Sequence, residues 1–306
     1  MAGAASHHLQ WQDMSLEERE RAYSPSSCIG GNYQPFITAY QTRSADARAE
    51  CIALGATWST YSYGQQAAQQ LTLCLPCATN APATHPSGLL VFFHGGYWQE
   101  LSAQDSLFPA TACIQRGLAF AALDYTLAPA ASVTDIVAEC RRALVWLFQH
   151  ANALGVDASR IVVAGSSAGA QLAAMVAMQG ALPDGAGDFF TVRAAVLVSG
   201  IFELEPLVGT SINTALGLDA VAAQQASPAL LPLSGFPRAL VCWGAVETEE
   251  FKRQSRDFAH ALAAAGTPCE SFEVPRRNHF DVIMDLVDAS TGLGAATLSF
   301  FFTLIE

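Results

Sequence analysis

Short stretches of the chain carry residue types that could do acyl-transfer chemistry. Gly165-Ser166-Ser167-Ala168-Gly169 centres a serine in a G-x-S-x-G pentad, directly after the apolar run Ile161-Val162-Val163-Ala164 and directly before the helix-forming run 171–177. A sharp strand-to-helix turn of this kind lifts a serine hydroxyl out of a sheet and sets the next backbone N–H, here that of Ala168, at a helix N-terminus. The glycines flank Ser167 because side chains two positions away would collide in so tight a turn. A second stretch, His94-Gly95-Gly96-Tyr97-Trp98, follows the apolar strand 89–93. Its glycines let the backbone approach a substrate and aim N–H groups at the negative charge of a tetrahedral intermediate. Gly95, Gly96 and Ala168 are therefore the candidate oxyanion-hole donors. His94 is expected to fix this loop by hydrogen bonding, and the two glycines could also form an ordinary tight turn.

The elements around these stretches alternate. Strand-like runs at 71–75 and 88–93 read as neighbours, separated by the turn-rich segment 79–87. A helix near 103–116 and a strand at 118–124 follow. The segment 135–154 reads as an amphipathic helix with Ile136, Cys140, Leu144, Leu147 and Phe148 on one face. Then come the strand 161–164 and its helix, strands at 192–199 and 238–243, a helix at 251–265, a last strand at 270–274 and a closing helix at 291–305. Apolar strands without clean alternation, joined by helical crossovers, imply a mostly parallel central sheet covered by helices on both faces. With the serine on its strand-to-helix turn, this is the order of an α/β-hydrolase fold. The first seventy or so residues differ. Ser15-Leu16-Glu17-Glu18 reads as the start of a capped short helix, followed by an irregular stretch. We expect residues 1–306 to form one domain, with 1–70 an extension packed on the core as part of a cap.

In this fold the nucleophile precedes the acid, and the acid precedes the histidine. Of seven histidines, His7, His8, His85, His94 and His150 precede Ser167, and His260 lies inside a helical segment. His279 remains as the base, in the loop Pro275-Arg276-Arg277-Asn278-His279-Phe280-Asp281 past the last strand. The loop after Trp243-Gly244 reads Ala245-Val246-Glu247-Thr248-Glu249-Glu250 and holds no aspartate, so a glutamate must serve there as the acid. Glu247, Glu249 and, farther along, Asp281 are its candidates. Glu250 is expected to cap or flank the following helix, whose first turn favours carboxylates.

Hormone-sensitive-lipase-type esterases carry H-G-G-G where this chain has Tyr97, followed by Trp98. The H-G-G-x-W pattern instead resembles the kynurenine formamidases (arylformamidases) among the α/β-hydrolases. Asp124-Tyr125-Thr126-Leu127-Ala128-Pro129, Leu16-Glu17-Glu18 with Tyr23-Ser24-Pro25, and Gly244-x-x-Glu247-x-x-Glu250-Phe251-x-x-Gln254-Ser255 are similar to segments of that family. The resemblance covers most of the chain and implies that Glu247 is the acid, although many relatives carry aspartate there. It also implies a serine hydrolase that cleaves N-formyl-L-kynurenine to kynurenine and formate. Tyr97 and Trp98 would suit a small acyl group beside an aromatic partner, or would simply pack the loop. A carboxylesterase of the same fold acting on short esters or carbamates is the alternative. A catalytically inactive binding protein is the third reading.

Bulk composition bounds the core and the partners. With 51% hydrophobic and 14% charged residues, the 306-residue chain can bury a large core. A net charge of −12 argues against nucleic acid or anionic membrane as a partner. No apolar stretch reaches membrane-spanning length, and the start of the chain lacks a signal-peptide core. The eight cysteines are scattered, which suits a reducing cytoplasm. Cys74-x-x-Cys77 is the one tight pair, without a second pair or histidines at metal spacing. No cofactor is called for, and a homodimer stays open.

Overall fold

In the computed structural model, residues 10–77, 87–178 and 191–302 are described. Helix α1 (Leu16–Ala22) opens with a capping box, in which Ser15 and Glu18 satisfy each other's backbone N–H groups. Helix α2 (Gln34–Ala53) follows. Strands β1 (Thr57–Ser62), β2 (Gln70–Leu75) and β3 (Ser87–Phe93) lead to the short helix α3 (Ala110–Ile114) and strand β4 (Ala119–Leu123). Helix α4 (Val133–His150), strand β5 (Val156–Ser166), helix α5 (Ala168–Ala177) and strand β6 (Ala194–Val198) come next. Short helices α6 (Asn213–Leu216) and α7 (Ala220–Gln225) precede strand β7 (Arg238–Val246). Helix α8 (Glu249–Ala264), strand β8 (Cys269–Asn278) and helix α9 (Gly292–Phe302) complete the order.

The strands form one sheet in the order β1-β2-β4-β3-β5-β6-β7-β8. Pairing is parallel from β4 through β3 to β8, and antiparallel for β1 with β2 and β2 with β4. This is an α/β-hydrolase fold. Alternate residues of the central strands enter opposite cores: Leu89, Val91 and Phe93 of β3 pack on one side, Leu90 and Phe92 on the other. Each such side chain, fully removed from water, contributes about 1.5–3 kcal/mol, which is why both faces must be covered. The face of α4 read from its periodicity, including Ile136, Cys140, Leu144, Leu147 and Phe148, is buried. Cys51, Cys74, Cys113, Cys140 and Cys242 are buried as small core side chains.

β2 and β3 follow each other in the chain, but β4 lies between them, because the β3-to-β4 crossover delivers β4 to the outer edge of β3. The helix expected over 103–116 is broken into a single 3₁₀ turn at Gln104–Ser106 and α3. Pro109 stands at the break, where it lacks an N–H and restrains Phe108. The stretch after α1, read as irregular, contains α2 and the edge strand β1. The turn-rich segment 79–87 lies outside the described residues except for Ser87, and so do the last three residues expected in the closing helix. Among the described residues no helix is long and apolar enough to cross a membrane.

Candidate active site

The parallel strands bring the candidate residues to one end of the sheet. His94, Ser167, Glu247 and His279 are each the first residue past a strand, namely β3, β5, β7 and β8. Crevices beyond the carboxyl ends of such strands are where open α/β sheets bind ligands. Here the crevice is a cavity of about 720 Å³ lined by Ser167, Gly95, Gly96, Tyr97 and His279, among others.

Ser167 sits at φ 58°, ψ −123°, a conformation that costs a non-glycine residue of order 1–3 kcal/mol. The surroundings hold it there. Its N–H donates to the Val198 carbonyl at 2.9 Å, and its own carbonyl accepts from Ala170 N–H at 3.0 Å. Gly165 and Gly169 make the turn feasible by close approach. A Cβ on Gly165 would collide with the Gly169 carbonyl, and a Cβ on Gly169 with the carbonyls of Phe93 and His94. Ser167 is only 7% exposed, and that remnant faces the cavity.

The Glu247 carboxylate is fully engaged. Oε1 accepts from the Ser199 hydroxyl at 2.6 Å and from Gly244 N–H at 2.5 Å, while Oε2 lies 3.0 Å from His279 Nδ1. With Nδ1 held, Nε2 is the imidazole nitrogen left for the cavity. Phe251 packs edge-on to the His279 ring at 4.4 Å, which limits how it can turn. The other acid candidates go elsewhere. Glu249 is exposed on α8 near Lys252, and Asp281 accepts from Asn278 N–H at 2.7 Å. Glu250 stands in the first turn of α8, as expected, with Thr248 rather than Glu250 at the N-cap. The Glu250 side chain is buried against Arg253 and accepts from the Tyr23 hydroxyl at 2.9 Å.

The His94 loop is held from below. The His94 ring stacks on Tyr125 with centroids 4.3 Å apart, and the Tyr125 hydroxyl donates to the His94 carbonyl at 2.9 Å. Burial pulls the imidazole down to about 4, so it stays neutral near pH 7. Among the described residues, the N–H groups of Gly95, Gly96 and Ala168 have no acceptor. Gly95 leaves no room for a side chain, since a Cβ there would lie 2.8 Å from the Ser166 carbonyl. Gly96, Tyr97 and Trp98 follow in succession with φ of 88°, 50° and 59°.

Tyr97 and Trp98 part company. Tyr97 lines the cavity and donates its hydroxyl to the Tyr23 carbonyl at 2.5 Å. Trp98, expected either to contact substrate or to pack the loop, is fully buried and does not line the cavity. Its indole N–H donates to Gln171 Oε1 at 3.1 Å, and Gln171 Nε2 in turn donates to the Ala226 carbonyl. An indole needs a partner for its N–H when buried, and α5 supplies one.

The remaining walls come from residues that sequence reasoning did not assign to the site. The N-terminal segment contributes Tyr23, Tyr33, Ile37 and Tyr40, and they meet Phe108 and Phe280 from the core. Tyr33 stacks on Phe280 with centroids 5.5 Å apart, and Tyr40 stacks on Phe108 at 5.6 Å. Arg21 is the single Arg or Lys among the lining residues, which also include Glu17, Glu20 and Glu100. Among the described residues no three His, Cys, Asp or Glu side chains converge as metal ligands would.

A family model described as the alpha/beta hydrolase fold matches residues 90–282. A kynurenine formamidase from Danio rerio is 30% identical over 291 residues, spanning 91% of this chain and 94% of that protein. The kynurenine formamidase of Salmo salar is 29% identical over the same shares. A solved structure from Silicibacter sp. TM1040, described as a thioesterase, superposes with a TM-score of 0.77 at 27% identity, over 90% of this chain and 97% of that one.

Proposed function

The chain belongs to the alpha/beta hydrolase fold family and is a hydrolase, and from that we propose that it cleaves an aryl formamide such as N-formyl-L-kynurenine to kynurenine and formate. The observation that carries the reading is the alignment of Glu247, His279 and the cavity: the carboxylate holds Nδ1 at 3.0 Å, and Ser167 shares the cavity wall with His279. His279 removes the Ser167 proton as Oγ attacks the formyl carbon, and the N–H groups of Gly95, Gly96 and Ala168 hold the oxyanion. The imidazolium, stabilised by Glu247, protonates the departing arylamine as the C–N bond breaks. Water, deprotonated by His279, then attacks the formyl ester and releases formate and the serine.

The cavity suits an aromatic amino acid. Tyr33, Tyr40, Phe108 and Phe280 supply an aromatic wall. Arg21 is the cation available to a carboxylate, and Glu17 and Glu100 are anions available to an ammonium group. We read the N-terminal segment as part of a cap over this cavity within one domain. The buried thiols suit a cytoplasmic enzyme.

Esterase activity on short acyl groups is the second reading, favoured by the likeness to the protein described as a thioesterase. An ester presents the same carbonyl to the same donors. Parallel assays on N-formyl-L-kynurenine and on p-nitrophenyl acetate, butyrate and octanoate decide between the two. Formamide cleavage with a higher kcat/KM than any ester supports the proposal. Strong butyrate or octanoate turnover without formamide cleavage overturns it.

A further inference from the structure

Two loops of the site are tied to consecutive carbonyls of one distant segment. The Tyr97 hydroxyl, on the loop with the candidate oxyanion donors, donates to the Tyr23 carbonyl at 2.5 Å. The Thr248 hydroxyl, next to Glu247, donates to the Ala22 carbonyl at 2.6 Å. The segment is itself anchored. The Tyr23 hydroxyl donates to Glu250 Oε2 and accepts from Gln254 Nε2, both at 2.9 Å. Arg253 grips Glu250 through Nε and Nη2, and the Gln254 side chain also binds the Phe202, Glu203 backbone. Tyr23 is 1% exposed and Glu250 is 1% exposed, so water does not compete for these bonds.

The loop at 96–98 needs such a brace. Tyr97 and Trp98 occupy the left-handed region that only glycine enters freely. Backbone of this kind persists only where its surroundings over-determine it. Trp98 is held by Gln171 of α5 and by Ala128 N–H, which donates to its carbonyl at 2.8 Å. Tyr97 is held by Tyr23.

We propose that Tyr97 and Thr248 are positioning residues: through the carbonyls of Tyr23 and Ala22 they use the N-terminal segment as a crossbar that sets the oxyanion loop against the Glu247–His279 loop. The inference rests on the serine-hydrolase reading above. The crossbar acts on transition-state geometry, and Tyr97→Phe removes its bond while keeping the ring that Tyr97 presents to the cavity. A displacement of about 1 Å between donors and base is enough to slow the chemical step while binding survives.

The test is steady-state kinetics of Tyr97→Phe, Thr248→Val, Thr248→Ser and the double variant Tyr97→Phe/Thr248→Val, with p-nitrophenyl acetate and N-formyl-L-kynurenine. Tyr97→Phe is expected to lower kcat about fivefold to tenfold, with KM within about twofold. Thr248→Val lowers kcat about threefold, and Thr248→Ser, which keeps the hydroxyl, restores it. The double variant falls short of the product of the single losses, because the second cut finds the crossbar already released. Binding of an arylboronic acid, whose tetrahedral adduct with Ser167 needs the oxyanion donors, weakens in step with kcat/KM. Circular dichroism melts verify that the variants fold. Wild-type kcat in folded Tyr97→Phe, or a loss confined to KM, overturns the proposal while leaving Ser167 chemistry intact. Near wild-type turnover in Ser167→Ala overturns the underlying reading and this inference with it.

Discussion

Replacing Glu247 with Gln removes one charge and one proton acceptor while keeping the side-chain shape, and the surrounding bonds dictate how the amide must sit. Gly244 N–H can only donate, and it points at Oε1 together with the Ser199 hydroxyl. The Gln oxygen is therefore confined to that side, and its NH₂ must face His279 Nδ1. An NH₂ facing Nδ1 makes Nδ1 the acceptor and moves the ring proton to Nε2, the nitrogen that should accept the Ser167 proton. The charge loss adds to the tautomer error. Across the 3.0 Å contact, an imidazolium and a carboxylate attract by about 5 kcal/mol at an effective dielectric of about 20. At 1.36 kcal/mol per decade this predicts a fall in kcat of roughly 10³–10⁴-fold. KM should hold, because Glu247 does not line the cavity. The assay is kynurenine release from N-formyl-L-kynurenine, with p-nitrophenyl acetate as a second substrate and a thermal melt as the folding control. A folded variant with kcat within tenfold of wild type refutes the argument.

Other perturbations give smaller and more specific effects. Arg21→Ala should lower kcat/KM for N-formyl-L-kynurenine by up to about fivefold, the limit set by about 1 kcal/mol for an exposed ion pair. It should not alter p-nitrophenyl acetate hydrolysis, and equal losses on both substrates would contradict the assignment. His94 gives a pH signature. Its folded-state value is lowered from 6.5 to about 4 by burial, so protonation favours the unfolded chain. Its contribution to stability is complete above about 6.5 and is lost as the pH falls toward about 4, a change of about 3 kcal/mol at 1.36 kcal/mol per unit. Urea denaturation of wild type and His94→Gln at pH 7 and pH 4 should show the stability gap between them shrinking by that amount. A gap independent of pH refutes it.

The parts readable from residues alone were those concentrated in contiguous segments. The pentad around Ser167 and the His94 loop each carry their strand, turn and following element together, so candidate residues and their positions are read at once. The position of His279 followed from chain order, and the structure puts it at the end of β8 with Glu247 beside it. Beyond the expectation that residues 1–70 pack on the core as part of a cap, the N-terminal contribution to the cavity is not readable. The buried residues of α2 are Tyr40, Ser44, Ala47 and Cys51, small or polar except for Tyr40, so the helix shows little apolar periodicity. Strand β1 is a half-exposed edge with the polar sequence Thr57-Trp58-Ser59-Thr60-Tyr61-Ser62. Contacts such as Tyr97 with Tyr23 and Tyr23 with Glu250 join residues far apart in the chain, and no local pattern encodes them. Trp98 illustrates the same limit. An aromatic in a catalytic loop can face ligand or core, and only the position of Gln171 on α5 turns it inward.

In the proposed mechanism Ser167 forms the covalent acyl intermediate. Intact-mass spectrometry after treatment with an aryl fluorophosphonate, followed by peptide mapping, tests it most directly. One phosphonyl group per chain on Ser167, with hydrolysis of N-formyl-L-kynurenine lost in proportion to labelling and neither label nor turnover in Ser167→Ala, is the predicted result. Label on another residue that abolishes activity, or turnover retained by Ser167→Ala, contradicts it.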